Sequence, residues 1–174
     1  MEHSNVLIVG GGCAGIAVAS RINSLKSDLS ISIIEPSEKS LYQAAWTLVG
    51  AGAYDVGNTI KPMSEVMPSY VNWIKEHAEE FMPDSNSVKT NSNTYTYDYL
   101  VVCPGLKLNF DGVAGLKESL GKNNVCTNYS AEMATYTWEC LKNLDGGTLL
   151  FTEPPMPIKC AGAPQKIAYL AADH

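Results

Sequence analysis

A chain of 174 residues is one ordinary domain, or one domain plus part of another, and its 45% hydrophobic content is enough for a packed core. A net charge of −6, with Arg21 as the single arginine, excludes the clustered basic surface that nucleic-acid binding needs. No apolar run approaches the roughly 20 residues that span a bilayer, and polar Met1–Asn5 leads straight into a strand, which reads as no signal peptide. Five cysteines (13, 103, 126, 140 and 160) form no Cys-x-x-Cys pair, and only three histidines accompany them. The reading is no metal site, no secreted disulfide framework and a reducing compartment.

In chain order, Asn5–Val9 predicts a short apolar strand, residues 10–15 a tight turn, Ile16–Leu25 a helix with small residues on its buried side, and Ile31–Ile34 a second strand ending at Glu35-Pro36. This strand–turn–helix–strand unit starts a parallel sheet. Leu41–Gly57 is a Gly-rich apolar stretch, read as a long loop and a short helix over a site, and Pro62–Pro68 as a helical piece. Val71–Glu80, Ser87–Thr90 and Thr94–Val102 read as strands, with Asn91-Ser92-Asn93 as a hairpin turn. Tyr95, Tyr97 and Tyr99 alternate as a half-buried strand does, and Asp98–Val102 reads as a strand re-entering the parallel sheet. Ser130–Leu144 predicts a helix stopped by Asp145-Gly146-Gly147. Thr148–Phe151 then predicts a strand and Gln165–Ala172 a helix, an unfinished second unit that cannot bury its own faces.

Gly10-x-Gly12-x-x-Gly15 fits the dinucleotide-binding pattern. Gly10 permits the tight turn, Gly12 lets backbone approach a pyrophosphate, and Gly15 lets the helix press on the strand. The helix N-terminus supplies N–H donors and partial positive charge to the phosphates. Glu35 falls 20 residues after Gly15, at the end of the second strand, where an acid accepts hydrogen bonds from ribose hydroxyls. The hairpin-rich insert ends at Cys103-Pro104-Gly105, where two-domain flavoproteins usually carry Thr-Gly, so FAD is favoured over NAD. Cys13 and Cys103 read as small buried residues. The fold class is α/β: a Rossmann-like FAD-binding domain over 1–129, with a parallel sheet, helices and an antiparallel hairpin insert. Residues 130–174 read as a linker helix and the incomplete start of a second dinucleotide-binding-like domain.

Near the C-terminus, Pro154, Pro155 and Pro157 block both helix and ladder bonding, and Cys160 follows on a rigid turn before a helix start. Helix-end dipoles lower thiol pKa values, so Cys160 is either a structural cysteine or a reactive one.

Three segments resemble the sulfide:quinone oxidoreductases, in the branch that includes the mitochondrial-type enzymes. The first is Glu35-Pro36-Ser37-Glu38 with Tyr42-Gln43 and Trp46-Thr47-Leu48-Val49-Gly50-Ala51-Gly52-Ala53. The second is Trp73-Ile74-Lys75 with Asn128-Tyr129-Ser130, and the third, the most specific, is Pro157–Ile167. The resemblance runs over essentially the whole chain, which covers less than half of a usual family member. It implies that Cys13 and Ala14 (backbone) and Glu35 hold the ADP half of FAD, that Gln43 lies near the flavin and that Ala78 lies by the adenine. Cys160 becomes one of two redox cysteines through which sulfide is oxidised by way of a persulfide, with quinone as electron acceptor and a sulfur acceptor taking the sulfane sulfur. Location at a membrane surface, the bacterial inner membrane or the mitochondrial inner membrane, follows for the full-length enzyme; no oligomeric state is implied.

The partner cysteine, the later Gly-Asp motif and the C-terminal amphipathic helices of the family are absent, and Cys126 and Cys140 are not placed to replace the partner. Lys159 reads as a solvated lysine, because neighbouring side chains on extended backbone point apart. Alternatives are a non-catalytic flavin-binding fragment and an NAD(P)H-dependent flavoprotein disulfide reductase; the proline-rich turn, standing where a second Gly-x-Gly-x-x-Gly would be, disfavours the latter.

Overall fold

Four successive apolar residues, Val6-Leu7-Ile8-Val9, are all buried, as a strand covered on both faces requires. They belong to the central parallel strand of a computed structural model that describes residues 2–174. In chain order the elements are β1 (Glu2–Val9), α1 (Cys13–Leu25), β2 (Ile31–Ile34), β3 (Lys39–Leu41), α2 (Trp46–Gly50), β4 (Ile60–Pro62), α3 (Met63–Val66), β5 (Val71–Ile74), β6 (Ala78–Met82), β7 (Ser87–Thr90), β8 (Thr94–Val102), α4 (Leu116–Ser119), α5 (Ala131–Lys142) and α6 (Gly162–Asp173). They fall into two units: Met1–Ser40 with Lys61–Gly105, and Leu41–Ile60 with Leu106–His174.

The first unit is built on a six-stranded sheet in the order β5-β2-β1-β8-β7-β6. β5, β2, β1 and β8 are parallel, with Val6 opposite Ile31 and Tyr99, and Ile31 opposite Val71. β8–β7 and β7–β6 are antiparallel. Alternation along β1 supplies two cores. Leu7 and Val9 pack with Ile34, Ile74, Val88, Tyr95 and Tyr97 on one face, and Val6 and Ile8 pack with Ile31, Ile33 and Ala19 of α1 on the other. Small residues at Gly15 and Ala19 let α1 lie close on the strands.

Two expectations about the sheet need correction. The single strand predicted over Val71–Glu80 is two strands, β5 and β6, at opposite edges of the sheet. The chain breaks at His77, whose N–H donates to Asn91 Oδ1 (2.8 Å) and whose carbonyl accepts from Asn91 N–H (3.1 Å). Tyr95 and Tyr97 are buried, but Tyr99 is 70% exposed. β7 pairs with β8 only over Thr94–Thr96, so the cover it gives stops before Tyr99. For the same reason Val102 is exposed, although Asp98–Val102 re-enters the parallel sheet as predicted.

The second unit packs α2, α5 and α6 together. Trp46, Val49 and Ala134 form its core, with Val56 and Ala131 against them. Trp46 Nε1 donates to Thr59 Oγ1 (3.2 Å), which donates to the Val56 carbonyl (2.7 Å). Gly52 lies at φ 73° under Trp138, with ring atoms 2.4 Å from where a Cβ would stand. The predicted strand over Thr148–Phe151 is not formed: the residues run without a ladder partner, and Leu150 is 86% exposed. A strand needs a partner for its N–H and C=O groups, and no described strand of this unit offers one. No helix among the described residues is long and apolar enough to cross a membrane.

Candidate functional site

In the first unit the chain leaves β1 through Gly10, at φ 105°. A Cβ there would stand 2.1 Å from the Cys103 carbonyl oxygen, because the ends of β1 and β8 lie side by side and Cys103 N–H donates to the Val9 carbonyl (2.8 Å). A Cβ at Gly15 would meet the Gly10 carbonyl oxygen at 1.9 Å, so Gly15 lets α1 turn back onto the loop. Both glycines are required by the protein's own packing.

Gly12 is different. It has ordinary φ (−73°), and nothing lies within 4 Å of where its Cβ would be. Gly12, Cys13 and Ala14 are exposed, and no side chain caps α1. The first N–H groups of α1 have no intrahelical acceptor, and Gly12 keeps the space in front of them clear. This is a cradle that a side chain would fill, and it fits a phosphate group. Cys13, expected to be buried, is exposed because it is the first residue of the helix and faces outward at that end.

Glu35 stands beside this turn. Its Oε2 accepts from Gly11 N–H and its Oε1 from Ser37 N–H, each at 2.8 Å. The carboxylate retains lone pairs for further donors such as ribose hydroxyls. Trp73 Nε1 donates to the Glu35 carbonyl (2.8 Å), and Lys75 lies over the Trp73 ring (4.3 Å) while pairing with Glu38 (3.0 Å). Gly11 was missed from sequence: a Cβ there would fall 2.7 Å from Glu35 Cβ, so the middle glycine is what lets the acid reach the turn. The run of three consecutive glycines was the available signal. Gly105, at φ 80°, faces open space after β8. Ala78 begins β6, opposite Thr90 and against the Leu7 core. The first unit thus gathers Gly10, Gly12, Cys13, Ala14, Gly15 and Glu35 at one end of β1 and β2.

Gln43 and Cys160 belong to the second unit. Gln43 is exposed at the start of a one-turn helix before α2. Cys160 is exposed at φ 55°, just before α6, and its carbonyl accepts from Ala163 N–H (2.9 Å) and from the Tyr129 hydroxyl (3.4 Å). The left-handed backbone and these two bonds fix the residue on its turn. Burial pushes the Tyr129 phenol up, and the nearness of Cys160 and of Glu153 adds to the effect.

The reading of Lys159 as solvated is overturned. Its ammonium lies 5.0 Å from the Trp46 ring centroid and 5.8 Å from that of Tyr129. Burial lowers its pKa from the ordinary lysine value, while Cys160 opposes that shift. Cys126 and Cys140 neighbour each other: burial first, then Cys140, pushes the Cys126 thiol up to about 11. Two further polar atoms escaped the sequence reading. Among the described residues, Thr47 Oγ1 and Asn128 Nδ2 are buried without a partner, a state that a bound polar group would relieve.

Fold and glycine turn together define an α/β dinucleotide-binding protein of the flavoprotein oxidoreductase kind. The chain belongs to the Pyridine nucleotide-disulphide oxidoreductase family, which it matches over residues 4–135. It is 40% identical to the mitochondrial sulfide:quinone oxidoreductase of Mus musculus over 171 residues, and 43% identical to that of Dictyostelium discoideum over 174. Each alignment covers 98% of this chain and 38% of the relative, so the chain spans well under half of their length. The X-ray structure of the sulfide:quinone oxidoreductase from Aquifex aeolicus superposes with a TM-score of 0.65 at 31% identity, covering 82% of this chain and 32% of that one.

Proposed function

We propose that this chain is the FAD-holding N-terminal part of a sulfide:quinone oxidoreductase, with residues 1–129 as the FAD-binding domain and 130–174 carrying Cys160 at the start of the next. The observation that carries the reading is the exposed Cys160, fixed on its turn, within a chain 40% identical to such an enzyme over almost its whole length. Gly12, Cys13 and Ala14 would receive the pyrophosphate on the open end of α1, Gly10, Gly15 and Gly105 would shape the turns around it, and Glu35 would accept from the ribose. Ala78 would border the adenine and Gln43 the flavin. FAD would supply two-electron transfer to quinone.

The sulfur chemistry belongs to thiols. Hydrosulfide attacks a disulfide joining Cys160 to a second cysteine that the family carries elsewhere. The S–S bond breaks, a new S–S bond leaves a persulfide on one cysteine, and the other departs as thiolate. A nucleophilic acceptor removes the outer sulfur and frees the second thiolate. Re-forming the disulfide from the two thiolates releases two electrons, for which bound FAD would be the acceptor. The full-length enzyme would work at a bacterial or mitochondrial inner-membrane surface.

A second reading, flavin binding without turnover, draws on the thiols present: Cys126 and Cys140 neighbour each other, not Cys160. One experiment separates the two. The full-length protein, which would carry the second cysteine, is loaded with FAD, its visible spectrum recorded, and sulfide added without oxygen. Bleaching that is lost in Cys160→Ser supports the enzyme reading, and a bound but unresponsive flavin supports the other. Rapid bleaching by NADH would instead favour a nicotinamide-dependent reductase.

A further inference from the structure

Among the described residues two lysines lie over aromatic rings, and they differ in one respect. Lys75, over Trp73, also pairs with the Glu38 carboxylate at 3.0 Å, which neutralises it. Lys159, over Trp46 and Tyr129, has no carboxylate within ion-pair distance among the described residues. Ring faces attract a cation through their quadrupole and hold it in place without cancelling its charge. Tyr129 also donates to the carbonyl of Cys160, so one phenol ties together the ammonium and the cysteine turn. Glu153 is the acid whose charge reaches Tyr129. Lys159 directly precedes Cys160, and its cation is held rather than roaming in solvent.

We propose that Lys159, caged by Trp46 and Tyr129, is a charge-steering residue that selects anionic sulfur species for reaction at Cys160. Hydrosulfide is favoured over its neutral conjugate acid, and an anionic sulfur acceptor over a neutral one. The proposal rests on the reading of Cys160 as a reactive thiol and adds its substrate class. Lys159 exchanges no proton or electron; it raises the local concentration of anions and stabilises their approach.

The test uses two alkylating agents of nearly equal size and the same leaving group, anionic iodoacetate and neutral iodoacetamide. Their rates at Cys160 are measured on the full chain at low ionic strength by mass spectrometry of the Cys160 peptide. Changes in thiol exposure or ionisation act on both reagents alike, so their rate ratio isolates the local field. Lys159→Met lowers the iodoacetate-to-iodoacetamide ratio about fivefold, the effect expected where the ammonium comes within about 4 Å of the reagent's carboxylate in water-like surroundings. Lys159→Arg keeps the wild-type ratio. Raising salt to about 1 M lowers the wild-type ratio toward that of Lys159→Met, an arm that needs no substitution. A ratio unchanged in Lys159→Met, or indifferent to salt in the wild type, overturns the proposal. Sulfide-driven bleaching that survives Cys160→Ser would instead refute the redox reading of Cys160 and leave the ratio intact, so the two failures are distinguishable.

Discussion

A Cβ placed on Gly10 would stand 2.1 Å from the carbonyl oxygen of Cys103, whereas one placed on Gly12 would touch nothing within 4 Å. The two glycines of one turn therefore answer to different demands. Gly10→Ala meets both a backbone clash and a φ of 105°, and it destabilises by about 3 kcal/mol or more, read by chemical denaturation. Gly12→Ala costs under about 1 kcal/mol, since alanine is merely a poorer N-cap than glycine. On the proposed function it still lowers the flavin retained per protein, read from visible absorbance. Equal destabilisation by the two changes would contradict the assignment.

Glu35 uses its two oxygens separately, Oε2 for Gly11 N–H and Oε1 for Ser37 N–H. Glu35→Ala removes both acceptors and costs about 1–3 kcal/mol. Amide hydrogen exchange at Gly11 and Ser37 accelerates, while exchange at Ile8 within β1 does not. Glu35→Gln keeps one carbonyl oxygen, so only one of the two amides loses protection. Simultaneous loss of both in Glu35→Gln would show that the carboxylate acts as a unit.

The legible parts of this chain were those in which a short pattern dictates its own conformation. Gly10-x-Gly12-x-x-Gly15 after apolar Val6–Val9 gave the first strand, turn and helix, and Asn91-Ser92-Asn93 gave the hairpin. What failed depended on distant cover. Tyr99 continues the alternation of Tyr95 and Tyr97 but emerges where β7 stops pairing. Val71–Glu80 looks like one strand because nothing in its composition reveals that Asn91 binds His77 on both backbone groups and breaks it. Lys159 was assigned to solvent on local geometry, and its place over Trp46 is set by the packing of α2 with α5 and α6. Thr148–Phe151 has the composition of a strand and lacks a partner to be one.

That same segment predicts where proteases act first. Between α5 and α6 the backbone carries no ladder, and Leu149, Leu150 and Phe151 are exposed beside three prolines that resist cleavage. Limited digestion with chymotrypsin or thermolysin should cut first at Leu149–Phe151, ahead of any site in β1, β2 or β8. Intact mass measured over the digestion reads the order of cuts. A first cut inside Thr94–Val102 would contradict the packing of the sheet.

The Cys126 thiol should be the slow one. Its pKa is raised from 9.0 to about 11, because burial disfavours the thiolate and neighbouring Cys140 adds to the effect, while Thr137 opposes it. Only the thiolate is alkylated, so at pH 8 the native residue reacts about a hundredfold more slowly than the same residue in denaturant. Its native rate then climbs about tenfold per pH unit toward pH 11. A group that holds its proton more tightly when folded contributes stability fully below pH 9.0, and that contribution is lost as pH rises through about 11. Cys126→Ala should therefore flatten the alkaline arm of the stability profile. Cys140→Ala should lower the Cys126 midpoint while leaving it above the unfolded value, since burial is the larger cause. Peptide-resolved alkylation from pH 7 to 11 measures each midpoint, and native labelling at pH 8 as fast as in denaturant would show that Cys126 lies in open solvent.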